Sequence, residues 1–156
     1  MICANAILRF AGLFATVDPL IPYYHVVSDE RLIHVCHSHP YKSSRQFADD
    51  LDFLCSRYRP LSLPDLIDHA RQGKALPKRG FIMTFDDGYS QIHSVIAPML
   101  LMKGIPAIFF LTSDFLDNGS LSLSNKISLI LEHLLVARGR SQTLNPRLIE
   151  LLGVST

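Results

Sequence analysis

Apolar residues recur along this chain in two rhythms, one of strands and one of helices, and together they divide it into elements. Gly80-Phe81-Ile82-Met83-Thr84-Phe85 is a strand-length run with a single hydroxyl in it. Continuous apolar runs of this length are the habit of strands buried on both faces, as in a parallel sheet covered by helices. Ile105 to Thr112 is a second such run, expected to be buried too. Between them, residues 89–103 place Ile92, Val95, Ile96, Met99, Leu100 and Met102 largely on one side of a helix, kinked at Pro98 and stopped by Gly104. Strand, helix and strand make a βαβ unit with parallel strands.

The same reading extends in both directions. Ile21 to Val27 predicts a first strand, with Pro22 at its start, where a missing amide donor is tolerated. Ser43 or Ser44 caps a helix to about Tyr58, whose stripe is Phe47, Leu51, Leu54, Cys55 and Tyr58. Its Asp49, Asp50 and Asp52 are expected on the solvated side. Residues 60–63 read as an extended link, and Ser62, Pro64, Asp65 and Gly73 bound a second helix. Beyond Thr112 a polar loop leads to a helix opened by Ser124, with Ile127, Ile130, Leu131, Leu134 and Leu135 as its apolar stripe. Asn145-Pro146 starts a last short helix. Residues 1–20 are read as an N-terminal amphipathic helix: Arg9 interrupts an apolar stretch too short for a bilayer span and without a signal peptide's charged start.

Composition narrows the class. A chain of 156 residues, 48% hydrophobic, can build one core, so 1–156 is expected to be a single α/β domain. A net charge of +1 without basic runs argues against nucleic acid as a partner. Cys3, Cys36 and Cys55 are odd in number and scattered, which suggests neither a disulfide framework nor a zinc knuckle and favours a reducing compartment such as the cytoplasm.

The chemistry concentrates where the central run ends, in Asp86-Asp87-Gly88. Aspartate is rare in strands and costly to bury unpaired. Two adjacent carboxylates raise one another's pKa unless a cation lies beside them, so the pair suits a hard-metal or acid/base site. Because successive strand side chains point to opposite faces, the backbone must turn for both to reach one place, and Gly88 supplies the freedom to do so. The plainer alternative is an Asp-Gly turn capping the next helix. His25, alone in the first strand, is either a satisfied core histidine or a substrate-binding residue. His34, His37 and His39 lie within six positions, but among Ser28, Asp29, Glu30, Pro40 and Lys42 they read as a solvated loop with nothing to fix a metal geometry.

Thr84-Phe85-Asp86-Asp87-Gly88 after a buried strand, followed by an amphipathic helix and Gly104-Ile105-Pro106-Ala107-Ile108-Phe109-Phe110-Leu111, resembles the polysaccharide deacetylase family (carbohydrate esterase family 4, chitooligosaccharide-deacetylase-like). Tyr24-His25-Val26-Val27-Ser28 is similar to the opening strand of some members, and Asp117-Asn118 with Asn125-Lys126-Ile127-Ser128 to one branch of them. The resemblance covers residues 21–135 and implies the N-terminal part of a distorted (β/α) barrel. It implies removal of acetyl groups from N-acetylated or O-acetylated oligo- or polysaccharide, with Asp86 as general base and Asp87 as ligand of a divalent metal, zinc or cobalt.

The chain departs from the family in one decisive respect. The family's metal set is completed by a His-[Ser/Thr]-x-x-His pair after the second strand, and here only His133 follows Thr112. His37-Ser38 begins like that motif, but Tyr41 stands where its second histidine belongs, and it precedes the acidic turn. A closed β/α barrel also needs upwards of about 200 residues. The expectation is a truncated barrel, completed by a further C-terminal segment or a partner chain. The alternatives are an inactive module that binds glycan or a partner, an aspartyl phosphohydrolase (which favours Asp-x-Asp), and a structural domain with a capped turn.

Overall fold

The computed structural model describes residues 19–137. The expected N-terminal helix, apart from its last two residues, and the short helix from Asn145 lie outside the described residues. Among the described residues five strands occur, β1 (Tyr23–Tyr24), β2 (Arg59–Pro60), β3 (Gly80–Phe81), β4 (Met83–Phe85) and β5 (Ala107–Phe109). The helices are α1 (Ser44–Arg57), α2 (Leu63–Gln72), α3 (Ala97–Lys103) and α4 (Leu123–Ala137).

Residues 80–85 are the middle of the sheet, and every strand pairing is parallel. Their backbone groups divide by parity. Leu20 N–H donates to Gly80, and Ile82, Thr84 and Asp86 N–H donate to Leu20, Pro22 and Tyr24, so the even-numbered groups face the first strand. The odd-numbered carbonyls face the other way: Arg79 and Phe81 accept from Arg59 and Leu61, and Phe85 accepts from Phe110. The central passage splits into β3 and β4 because its second neighbour changes from β2 to β5 at Ile82. Residues 60–63 are thus more than a link. Pro60 is tolerated in β2 because the donors to the ladder are Arg59 and Leu61 on either side of it. Among the described residues the sheet is open.

The odd side chains Phe81, Met83 and Phe85 are fully buried in a cluster with Val27, Phe47, Leu51, Leu54, Ile96, Leu100 and Ile105. This cluster joins the sheet to α1 and to the helix after the acidic turn. Aromatic rings form its centre: Phe47 meets Tyr24 edge-on at 5.2 Å, and Phe85 stacks on Phe109 at 5.2 Å. Helix α1 is capped by Ser43 in a reciprocal arrangement with Gln46, and α2 by Ser62 with Asp65, before Gly73 ends it in the left-handed region. The kink expected at Pro98 takes the form of a π-helical turn, Ile92–Ile96, which places the proline in the first turn of α3. Among the described residues no helix is long and apolar enough to cross a membrane.

Three expectations about burial are corrected. Asp50 is not on a solvated face; it is buried, accepting from the Tyr24 hydroxyl (2.8 Å) and paired with Lys42. Burial and the neighbouring carboxylate both push the Tyr24 phenol upward. The run 105–112 is an edge rather than an interior strand: Ile105 is buried, but Phe110 and Leu111 are 56% and 60% exposed. On α4 the expected apolar stripe is largely open, with Leu135 53% exposed, while Asn125 and Ser128 are buried.

Removing the ring at the centre of the cluster, Phe47→Ala, is expected to lower the unfolding free energy by about 3–5 kcal/mol. Leu101→Ser, at a position 80% exposed, should change it by less than about 0.5 kcal/mol. Urea titration followed by circular dichroism measures both.

Candidate active site

The register aligns Tyr24 with Phe85 and Phe85 with Phe109. His25, Asp86 and Phe110 are therefore neighbours at the carboxyl ends of three parallel strands. The chain turns there at once. Gly88 N–H donates to the Asp86 carbonyl (2.9 Å) across Asp87, and Asp87 itself has φ of 70°. A three-residue turn with a positive central φ is rare and strained, and aspartate bears it better than most side chains. Gly88 follows at φ 81°, where a Cβ would also come within 3.0 Å of the Leu111 side chain. The freedom expected of Gly88 is used, and Asp87 shares the strain.

This turn brings Asp87 Oδ2 to 3.9 Å from His25 Nε2, with both side chains about one-third exposed. The His39 ring lies 5.2 Å from that of His25. His39 Nε2 is buried with no hydrogen-bond partner among the described residues. Burial, and then the neighbouring His25, hold the His39 imidazole below its usual pKa, while Asp87 pulls the other way. Asp87 thus lies beside His25, whose ring in turn neighbours that of His39.

That loop is not solvated, as its polar residues suggested. Leu32 and Val35 are buried with Val26, against Tyr41 and Tyr89, and the loop closes where Ser28 N–H donates to the Lys42 carbonyl (3.0 Å). Its three histidines separate. His34 lies against the Tyr89 ring at 5.9 Å, His37 Nε2 is 2.7 Å from Glu132, and only His39 faces the acidic turn.

Helix α4 fastens the loop from outside, through polar contacts. Asn125 Nδ2 donates to the His34 carbonyl (2.8 Å) and to the Tyr89 hydroxyl (2.9 Å), tying the loop to the residue just after the acidic turn. Ser128 Oγ donates to the Ile33 carbonyl (2.7 Å) and accepts from His37 N–H (3.1 Å). The guanidinium of Arg31 grips both carboxylate oxygens of Glu132 at 2.7 and 2.5 Å. Arg31 and His37 hold Glu132 down to about 2. Cys36, His37 and Glu132 place three donor atoms within 4.8 Å of one another. Because Arg31 already neutralises the carboxylate, this group reads as an ion-paired clamp.

No protein-family profile matches the chain. A poly-beta-1,6-N-acetyl-D-glucosamine N-deacetylase of Escherichia coli (strain K12) is 32% identical over 60 residues, 38% of this chain and 9% of that protein. The solved de-N-acetylase from Aggregatibacter actinomycetemcomitans is 27% identical with a TM-score of 0.54, over 64% of this chain and 39% of that one. IcaB from Ammonifex degensii shares the fold, with a TM-score of 0.55 at 23% identity over 74% of this chain and 49% of that one.

Over part of its length this chain is similar to polysaccharide deacetylases. It spans less than half the length of these relatives. The mixed α/β fold with parallel strands agrees with the relationship, while the closed barrel is not seen in the described residues. The deacetylase resemblance placed interest on Asp86 and Asp87, and both stand at the carboxyl end of the central strand. Sequence reasoning missed His39 and Asn125. A signal for Asn125 was present in its match to one deacetylase branch; none pointed to His39 over His34 or His37.

Two outcomes follow for the clamp around the site. Asn125→Ala leaves the Tyr89 hydroxyl and the His34 carbonyl without their shared donor, and should cost about 1–3 kcal/mol of stability by urea titration. Glu132 has a depressed pKa, so its contribution is present above 4.5, its ordinary value, and is lost as pH falls toward about 2. The melting temperature of Glu132→Gln should lie below wild type at pH 6, and the difference should shrink as pH is lowered through that window.

Proposed function

We propose that this chain carries the acidic half of a metal-dependent deacetylase site that removes acetyl groups from N-acetylated carbohydrate. The observation that carries the reading is the pair Asp86–Asp87 at the carboxyl end of the central parallel strand, in a fold shared with a solved de-N-acetylase. The E. coli relative is named for poly-beta-1,6-N-acetyl-D-glucosamine, so a β-linked N-acetylglucosamine polymer is the first substrate to consider.

The donors fit a divalent ion such as zinc or cobalt: a carboxylate, Asp87, beside the His25 imidazole, with the His39 imidazole next to it, whose buried nitrogen has no hydrogen-bond partner among the described residues. Such an ion, when bound, lowers the pKa of a water and polarises the acetyl carbonyl. Asp87 is its ligand. Asp86, one residue earlier and half-buried, takes the proton of the attacking water as general base. The amides of Asp86 and Gly88 are engaged within the fold, donating to Tyr24 and Asp86. Support for the developing oxyanion therefore comes from other donors. His25, expected from sequence as a substrate contact, faces Asp87.

A second reading is a module that binds glycan without turnover. Acetate release from N-acetylglucosamine oligomers, measured with added zinc or cobalt, separates the two. Under the deacetylase reading, Asp86→Asn lowers the rate about 10²–10⁴-fold. Saturable binding of the oligomer without acetate release supports the module instead.

A further inference from the structure

Helix α4 carries Asn125, Ser128 and Glu132 at spacings of three and four residues, which stack on one side of a helix. The first two dock the loop 28–42 by its backbone. Asn125 Nδ2 donates to the His34 carbonyl and Ser128 Oγ accepts from His37 N–H, while Ser38 Oγ donates to the Ser124 carbonyl (2.7 Å). Cys36 and His37 are thereby held opposite Glu132, one turn of helix beyond Ser128. His37 Nε2 lies 2.7 Å from Glu132 Oε2, and one donor atom from each of Cys36, His37 and Glu132 lies within 4.8 Å of the other two. The thiol's contact with the Ile33 carbonyl is long, 3.9 Å, and leaves the sulfur available.

We propose that Cys36, His37 and Glu132 form a zinc site, separate from the acidic turn, that latches the loop 28–42 to α4. Thiolate, imidazole and carboxylate are all donors that zinc accepts. Tetrahedral zinc, with bonds of about 2.0–2.3 Å, sets such donors about 3.3–3.6 Å apart. The trio therefore needs only small adjustments: His37 and Glu132 part slightly, and the sulfur draws in. The ion takes the place of the hydrogen bond between His37 and Glu132, the Cys36 thiol gives up its proton to solvent, and a water fills the fourth position.

Arg31 competes for the same carboxylate, with Nη1 on Oε1 and Nη2 on Oε2 of Glu132. Its side chain is 57% exposed, and an ion pair with one partner largely in water contributes little. Zinc on Oε2 leaves Nη1 on Oε1, so the guanidinium passes from clamping the carboxylate to orienting it, as the outer hydrogen-bond partners of metal ligands do. Thiolate and carboxylate together balance the two charges of the ion, so Arg31 stands beside a neutral centre. Without an ion the group is the clamp described above, and with one it is a latch between the same two elements.

The test uses the full chain carrying Asp87→Ala, which takes the acidic turn out of the count. Zinc binding is read by calorimetry, and the cobalt form by its absorption spectrum, in which a thiolate ligand gives an intense near-ultraviolet band. One ion and that band are expected. Cys36→Ser should abolish the band and weaken binding by more than about tenfold, the loss that follows even when only a ligand's outer partner is removed. His37→Gln and Glu132→Gln should each weaken binding by a similar factor. Cys3→Ser with Cys55→Ser should leave band and affinity unchanged, and this variant decides the matter if Cys36→Ser does not fold. The site is overturned by no binding, by binding without the band, or by a band that survives Cys36→Ser or is lost with Cys3 and Cys55. Affinity indifferent to His37→Gln or to Glu132→Gln overturns it too. None of these outcomes touches the reading of Asp87, which acetate release tests.

Discussion

Residues 80–85 run through the middle of the sheet with their side chains buried, so no water is available to their peptide groups. Each amide and carbonyl must find a partner within the protein. The rest of the arrangement follows from how that demand is met. Even-numbered groups are satisfied by residues 20–24, and odd-numbered ones by β2 and then β5. Two short segments thereby share one flank of a single strand, and the place where they exchange is Ile82. The cluster beneath, from Phe47 to Phe85, then has only one way to close over the odd side chains.

The acidic turn inherits its position from this demand. Asp86 gives its amide to the Tyr24 carbonyl, which ends the ladder and sets Asp86 next to His25 in register. Asp87 comes immediately after, at a positive φ that the surrounding structure must sustain. Strain of this kind persists where the surrounding structure holds a side chain in place, and here the Asp87 carboxylate lies beside the His25 imidazole.

Around the turn, packing gives way to polar fastening. Helix α4 buries Asn125 and Ser128 while much of its leucine and isoleucine surface stays open. Its hold on the loop consists of directional hydrogen bonds and a two-pronged ion pair, which specify orientation more narrowly than apolar contact does. That narrowness matters for a loop whose histidines point three ways. One lies tilted against Tyr89, one joins the clamp, and one lies beside His25.

Sequence alone determined the elements that obey local rules. The caps Ser43 and Ser62, the stop at Gly73, the disruption around Pro98 and the parallel βαβ unit follow from backbone geometry and periodicity within a few residues. The acidic pair was legible for a different reason, because carboxylates at the end of a buried run are costly without a task. The tertiary structure settled what depends on distant partners. Asp50 looked solvated until Tyr24 and Lys42, 26 and 8 residues away, came to meet it. The stripe on α4 looked like a core face, but its docking used Ser128 across 95 residues. His39 was indistinguishable from His34 and His37 in the sequence. Its approach to His25 is set by the closure of the loop and the grip of α4, long-range contacts that no local pattern records.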